Sequence, residues 1–416
     1  MNRSLTALNV ALTVIGGLIV VIGLFSEPLK RSLLSATILA LLAGILLGPS
    51  VFGLLDLSGW GKPEVILEQA SRLTIAVGLM GIALRLPSGY VLSRWRSLLV
   101  LLGPVMLLMW LSSGLLAYLI LGLPFWVTML VGAVITPTDP VIASTIVTGE
   151  VAEQNLPARV RNLLSGESGA NDGLAYPLVF LAVLMLENPP EEALVRWLTG
   201  VLLWEVGAAV VFGVLIGYLA GRLLRWAEAR RNMGQPSYLA YTLALSLAVL
   251  GAAKLLGTDG VLAVFAAGVA LNAAVSTKMR HDEERIQEAV NRFFVLPIFV
   301  LFGLALPWGE WAELGWSGPI LVGAVLLLRR LPAVVALNPL LVRSRGAKDA
   351  LFLGWFGPIG VAALFYASLS VREAGAEEVW VVASLVVFAS VLVHGISAAP
   401  FTRLYGRRVR NGSPDE

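Results

Sequence analysis

Residues 166–172, Gly-Glu-Ser-Gly-Ala-Asn-Asp, place polar side chains inside a long apolar run. Ser168 and Asp172 are four residues apart, as are Glu167 and Asn171, so each pair stacks on one face of a helix and the two faces adjoin. The patch therefore combines a hydroxyl, an amide and two carboxylates. Because a low-dielectric surrounding favours the neutral form of a carboxyl group, such a group can hold either a proton or a cation. The pattern predicts proton-coupled cation exchange.

A second polar segment, Thr-Pro-Thr-Asp-Pro at residues 136–140, interrupts another apolar run. Pro140 leaves the carbonyl of Thr136 without its helical donor, and Pro137 does the same three residues earlier. Irregular backbone at membrane depth persists only where it is buried in protein or lines a cavity. The freed carbonyls and Asp139 are hard oxygen ligands, which suit a small alkali cation.

A third interruption lies at residues 354–360, where Pro358 stands between Gly357 and Gly360. This break and the one around Pro137 and Pro140 occupy corresponding halves of the chain. Paired broken spans of this kind indicate an inverted-repeat transporter with its site near the middle of the membrane.

The composition requires a membrane to surround these elements. Of the 416 residues, 57% are hydrophobic and only 14% are charged, with a mean hydropathy of +0.83, whereas a soluble domain carries about 25% charged residues. There is no cysteine, which excludes disulfides, thiol catalysis and cysteine metal sites. We expect an all-α membrane protein with no cofactor and no nucleic-acid partner.

Apolar length and turn residues predict about thirteen transmembrane helices. They cover residues 5–25, 33–48, 65–84, 98–120, 125–147, 156–186, 198–220, 238–256, 261–275, 293–306, 320–340, 351–369 and 379–399. Lys and Arg are concentrated in one set of alternate loops and in the short tail at 400–416. Since such residues stay on the cytoplasmic side, we expect the N-terminus outside, the C-terminus in the cytoplasm, and a prokaryotic inner membrane as the location.

Arg329 and Arg330 lie inside the eleventh predicted span. Charged groups at this depth cost at least about 2.5–3.5 kcal/mol each, so they require partners. Glu167 and Glu205 are the candidate carboxylates. We expect Glu167 to form a structural ion pair with one of the two arginines.

These residues resemble the cation/proton antiporter superfamily, most closely its NhaP-type sodium/proton exchanger branch. The resemblance covers nearly the whole chain. It rests on Thr138-Asp139-Pro140, on Glu167-Ser168 followed by Asn171-Asp172, on residues 262–268, and on His394-Gly395.

The resemblance implies an inverted-repeat fold with two interrupted crossing helices, in a single unit of 416 residues that forms a homodimer. A core domain, residues 98–186 and 320–399, moves against a dimerisation domain, residues 1–84 and 198–306. Asp172 is implied as the carboxylate that binds the cation or the proton, with Asn171 beside it. Asp139, Ser168 and the main chain of Thr138 complete the Na⁺ site. The Asn-Asp pair is similar to branches regarded as electroneutral.

One departure from the family concerns the twelfth span, where an arginine is often found within Gly-Leu-Arg-Gly. Here the stretch reads Gly357-Pro358-Ile359-Gly360. Arg329 or Arg330 is the expected substitute.

Other functions remain open at this point. Potassium/proton exchange uses the same kinds of oxygen ligand, as does a cation channel. A remote alternative is an intramembrane serine protease, in which Ser168 is the nucleophile and His394 the base.

Overall fold

The computed structural model describes residues 3–25, 35–230, 235–275, 283–341 and 346–410. The regular secondary structure within these ranges is helical, and no strand occurs in them. The main helices are α1 (Arg3–Leu24), α2 (Ala36–Leu47), α3 (Pro63–Arg85), α4 (Trp95–Leu121), α5 (Phe125–Val134), α6 (Pro140–Val147), α7 (Ala158–Leu174), α8 (Tyr176–Glu187), α9 (Pro190–Ala229), α10 (Gln235–Leu255), α11 (Gly260–Ala274), α12 (Glu283–Leu304), α13 (Ser317–Leu328), α14 (Leu331–Leu337), α15 (Ala347–Trp355), α16 (Val361–Ala374) and α17 (Glu377–Arg410).

Wherever the structure describes them, the predicted spans lie on these helices. Seven helical stretches in the described ranges are at least 18 residues long and apolar enough to cross a membrane, and shorter apolar helices accompany them. The prediction of an all-α, multi-helix membrane protein is therefore confirmed.

The eleventh predicted span is divided into two helices. Helix α13 ends at Leu328 and α14 begins at Leu331, with Pro332 in its first turn. Because proline has no N–H group, Pro332 cannot continue the hydrogen-bond ladder of α13. The resulting bend carries Arg329 and Arg330, both of which are buried.

Helices α9 and α11 pack unusually closely because small residues face each other. A Cβ atom at Gly213 would lie 2.3 Å from the carbonyl oxygen of Ala263, and one at Gly217 would lie 2.1 Å from that of Ala267. Small residues at membrane helix interfaces allow this backbone approach. The contact fixes the start of α11 beside the middle of α9, where the backbone N–H of Asp259 donates to the carbonyl of Glu205 at 2.9 Å.

The predicted interruptions form the centre of the fold. Helices α5 and α6 are separated by residues 135–139, and α15 and α16 by residues 356–360. Where the two breaks meet, the backbone N–H of Asp139 donates to the carbonyl of Pro358 at 2.7 Å. The breaks therefore contact each other directly. We call this region, residues 135–139 and 356–360, the crossing.

Candidate functional site

Asp139 joins the two half-helices that begin at the breaks. Its Oδ1 accepts from the backbone N–H of Ile142 at 2.9 Å, and its Oδ2 accepts from the backbone N–H of Val361. One carboxylate therefore caps the first turns of both α6 and α16. Such a group satisfies amides that have no helical partner and complements the positive ends of the helix dipoles.

The close approach of Asp139 requires a glycine at position 360. A Cβ atom there would lie 2.1 Å from Asp139 Oδ2. Gly357 has a comparable role, since its Cβ would lie 2.2 Å from the Cδ atom of Arg330. The two glycines that flank Pro358 therefore leave room for charged side chains at the crossing.

Arg329 binds the C-terminal ends of the two half-helices that precede the breaks, α5 and α15. Its guanidinium donates to the carbonyls of Ile135 at 2.6 Å and Thr136 at 2.9 Å, just beyond the end of α5, and to the carbonyl of Gly357 beyond α15. A cation near helix C-termini is stabilising because the dipoles end there in negative charge. The carbonyl of Thr136, which Pro140 deprives of its helical donor, is thus occupied by an arginine.

Arg330 pairs with Glu167 in a two-pronged ion pair. The Nη1–Oε1 distance is 2.6 Å and the Nη2–Oε2 distance is 2.8 Å. Both side chains are 3% exposed or less, and the Nε of Arg330 also donates to the carbonyl of Leu353 at 2.9 Å. This planar geometry is the one in which arginine and carboxylate interact most strongly.

Asn171, Thr138 and Ser168 form a polar network between α7 and the first break. The amide nitrogen of Asn171 donates to Thr138 Oγ1 at 2.6 Å and to Glu167 Oε1 at 3.1 Å, while its Oδ1 accepts from the backbone N–H of Thr138 at 3.2 Å. The hydroxyl of Thr138 donates to that of Ser168 at 3.1 Å. The network holds the ion-pair helix against the broken span.

Asp172 differs from the other carboxylates of the site. It is fully buried, and neither carboxylate oxygen has a hydrogen-bond partner. Its main-chain carbonyl accepts from the hydroxyl of Tyr366 at 2.5 Å. Since a buried carboxylate without partners is costly, the group must be neutralised by a proton or by a cation.

The structure thus joins most of the expected site residues through direct contacts: Thr138, Ser168, Asn171, Glu167 and Arg330, with Gly357 against the last. Arg329 is not a partner of Glu167. Tyr366 was not predicted, because a single tyrosine in an apolar helix gives no distinguishing pattern.

His394 lies apart from Ser168. Its Nδ1 contacts Ser390, its Nε2 lies 3.1 Å from the carbonyl of Trp355, and the hydroxyl of Ser390 accepts from the backbone N–H of Ile359. The histidine therefore supports the second break. This placement gives no nucleophile and base pair for a serine protease.

The comparisons with known proteins define the family. The family model described as "Sodium/hydrogen exchanger, transmembrane" matches residues 14–404. The chain is also 31% identical to a Na⁺/H⁺ antiporter of Schizosaccharomyces pombe, in a match that covers 94% of this chain and 89% of the relative. The chain belongs to the sodium/hydrogen exchanger family, whose members are transporters rather than enzymes.

A more distant relative and a solved structure also match the chain. A K⁺/H⁺ antiporter, NhaP2, of Shewanella sp. (strain ANA-3) is 25% identical over 84% of the chain and 60% of the relative. The structure of the sodium proton antiporter MjNhaP1 from Methanocaldococcus jannaschii has a TM-score of 0.74 at 18% identity, covering 97% of this chain and 99% of that one. The chain spans about half the length of several other yeast antiporters that it matches, between 43 and 56%.

The comparisons correct one expectation. The prediction of a prokaryotic inner membrane is wrong, because the relatives at 31–32% identity come from yeasts, which points to a eukaryotic membrane. Apolar length and loop charge report how a chain crosses a bilayer, and they carry no signal for the kind of organism.

Proposed function

We propose that this protein exchanges Na⁺ for H⁺ across a lipid bilayer, and that the two ions bind alternately to Asp172. The observation that carries the proposal is the carboxylate itself, which is fully buried and has no hydrogen-bond partner on either oxygen. Every other carboxylate at the crossing is compensated, Glu167 by Arg330 and Asp139 by two backbone amides.

The adjoining groups can complete a sodium site. Ser168, Asn171 and the main chain of Thr138 belong to the network on the same helix and the neighbouring break. Oxygen ligands of this kind suit an alkali cation. Both carboxylate oxygens of Asp139 already accept from backbone amides. We therefore assign Asp139 to holding the crossing and to adding negative charge near Asp172.

The charges at the crossing support one-for-one exchange. Glu167 and Arg330 form a neutral pair, and Asp139 and Arg329 carry opposite charges. Asp172 then has the same net charge with one proton as with one Na⁺. Exchange through such a site moves no net charge, so imposed membrane voltage should not change its rate.

Transport requires the site to face each side of the membrane in turn. We propose that residues 98–186 and 320–399 move as the core, and that residues 1–84 and 198–306 form the dimerisation domain of a homodimer. The ion pair between Glu68 of α3 and Arg372 of α16, with Nε–Oε2 at 2.6 Å, connects these two parts. In this scheme it closes one side and must break when that side opens.

The test is exchange driven by a pH gradient in proteoliposomes, titrated separately with Na⁺, Li⁺ and K⁺. We expect Na⁺ to support exchange at the lowest concentration. Exchange supported by K⁺ in preference to Na⁺ would favour K⁺/H⁺ exchange, the activity named for the NhaP2 relative. A conductance without counter-movement of protons would instead identify a channel.

A further inference from the structure

A second buried carboxyl group, Asp259, lies outside the crossing. It is 4% exposed, and it stands at the N-terminal end of α11, where its Oδ1 accepts from the backbone N–H of Val261 at 2.9 Å. Its Oδ2 is buried and has no hydrogen-bond partner. A helix cap needs only one oxygen. The other oxygen is therefore available to bind something else.

Asp259 faces a cavity that penetrates between α3, α8, α10 and α16. The cavity is also lined by Glu68, Arg72, Tyr176 and Lys254. Asp259 is thus a buried carboxyl group with an unoccupied oxygen next to a space that water can enter.

The cavity borders helix α16, which also contacts the ion site. Phe365 lines it, and the next residue, Tyr366, donates its hydroxyl to the main-chain carbonyl of Asp172 at 2.5 Å. Helix α16 therefore contacts both the cavity and the main chain of Asp172.

We infer that Asp259 is a second proton-binding site, which takes up a proton from water in the cavity and releases it during exchange at Asp172. The inference rests on the proposed function only for its role in transport. A hydronium ion of the cavity gives its proton to the carboxylate oxygen of Asp259 and becomes water. In the reverse step, the carboxyl O–H bond breaks and a cavity water takes the proton.

The surroundings favour a proton over a metal cation. Only one oxygen of Asp259 is free, whereas an alkali cation requires several oxygen ligands. Two positively charged side chains, Arg72 and Lys254, line the same cavity and repel a cation. The neighbouring carboxylate, Glu205 of α9, already accepts from the hydroxyl of Tyr176.

The titratable and charged groups that the packed helices present around Asp259 are Glu68 and Arg72 of α3, Tyr176 of α8, Glu205 of α9, Lys254 of α10, and Tyr366, Arg372 and Glu373 of α16. Any pH effect of Asp259 must be separated from theirs. Replacement of Asp259 alone, by an isosteric residue, achieves this.

The variant is Asp259→Asn, since asparagine keeps an oxygen for the Val261 cap. Asp56→Asn is the matched control. Asp56 also caps a short helix, accepting from the backbone N–H of Ser58 at 2.9 Å. Hydrogen bonds from the Ser58 side chain and backbone lower the pKa of Asp56, so its proton is already lost at neutral pH.

The decisive experiment follows the carboxylic C=O infrared band of purified, reconstituted protein during a pH titration without Na⁺. We expect Asp259→Asn to lose a titrating component that both Asp172→Asn and Asp56→Asn retain. An unchanged titration in folded Asp259→Asn would overturn the inference. Because Asp172→Asn is titrated separately, this result stands even if the protein fails to exchange Na⁺ for H⁺.

A transport measurement then separates a proton site from a cation site. At alkaline pH, the KM of Asp259→Asn for Na⁺ should stay within about twofold of the parent, while the pH dependence of the rate changes shape. A large rise in KM at every pH would mean that Asp259 binds the cation, which would also overturn the inference.

Discussion

Arg330 contributes two parallel hydrogen bonds to the carboxylate of Glu167, at 2.6 and 2.8 Å, from a bend that lies 163 residues further along the chain. This pairing determines how the charges of the crossing are divided. Glu167 is neutralised by the side chain of Arg330, and Asp139 accepts hydrogen bonds from two backbone amides. Asp172 has no hydrogen-bond partner for either carboxylate oxygen. We therefore assign a structural role to Glu167 and Asp139 and the transport role to Asp172.

The ion pair should contribute to stability rather than to ion binding. Removing one member of a buried pair leaves an uncompensated charge and typically costs about 3–5 kcal/mol. Glu167→Ala and Arg330→Ala should each lower the melting temperature in detergent, and the double variant should recover part of the loss. Arg330→Lys should not restore the parent value, because lysine cannot form the two-pronged contact.

The exposed pair of Glu192 and Arg196, with its Nη2–Oε1 distance of 2.6 Å, is the matched control. Pairs of this kind on a helix surface contribute only about 0.3–0.5 kcal/mol. Arg196→Ala should therefore leave the melting temperature nearly unchanged. If Glu167→Ala were as stable as the parent but unable to bind Na⁺, Glu167 would be a sodium ligand.

The crossing should not tolerate a side chain at position 360. In Gly360→Ala, the new methyl group would lie 2.1 Å from Asp139 Oδ2. Overpacking commonly costs about 1–3 kcal/mol, and here it also displaces the cap of both half-helices. We expect lower thermal stability together with weaker exchange. Gly251→Ala, on helix α10 with no atom within 4 Å of its added Cβ, should match the parent. Parent-like exchange by Gly360→Ala would show that the cap is dispensable.

The contact between α3 and α16 should open during transport. The chain has no cysteine, so Glu68→Cys/Arg372→Cys can be linked by a short bifunctional thiol reagent with a reducible spacer. Linking should stop exchange in proteoliposomes, and reduction should restore it. Each single cysteine variant, treated identically, is the control. Continued exchange by fully linked protein would mean that α3 and α16 do not separate.

Protons and sodium should compete at Asp172. Lowering the pH protonates more of the free carboxylates and should therefore raise the apparent KM for Na⁺, while the rate at fixed Na⁺ passes through an optimum. The measurement is a matrix of exchange rates over pH and Na⁺ concentration. A KM that is independent of pH on the acid side would show that the two ions use different sites.

Much of the fold could be predicted from the sequence, because apolar length and prolines act locally. The interruptions around Pro137 and Pro358 followed from the missing N–H groups of proline. The partners across the crossing could not be predicted in the same way. That Arg330 and not Arg329 meets Glu167, and that Arg329 meets carbonyls, depends on how the bend before Pro332 turns each side chain.

Asp139 is a second residue whose partners could not all be predicted from the sequence. Its position between two prolines indicated a special site, and the resemblance implied a sodium ligand. Its contact with the amide of Ile142 is local, but its contact with the amide of Val361 joins a helix 222 residues away, so local spacing could not predict this second cap.

The central claim is tested most directly by Na⁺ uptake driven by a pH gradient in proteoliposomes that contain purified Asp172→Asn. Because no hydrogen bond is made to the carboxylate oxygens of Asp172, the variant should fold and melt at a temperature no lower than the parent. Its Na⁺ uptake should fall to the level of empty liposomes, since the group that alternates between H⁺ and Na⁺ is absent. Substantial pH-driven Na⁺ uptake by folded Asp172→Asn would contradict the account.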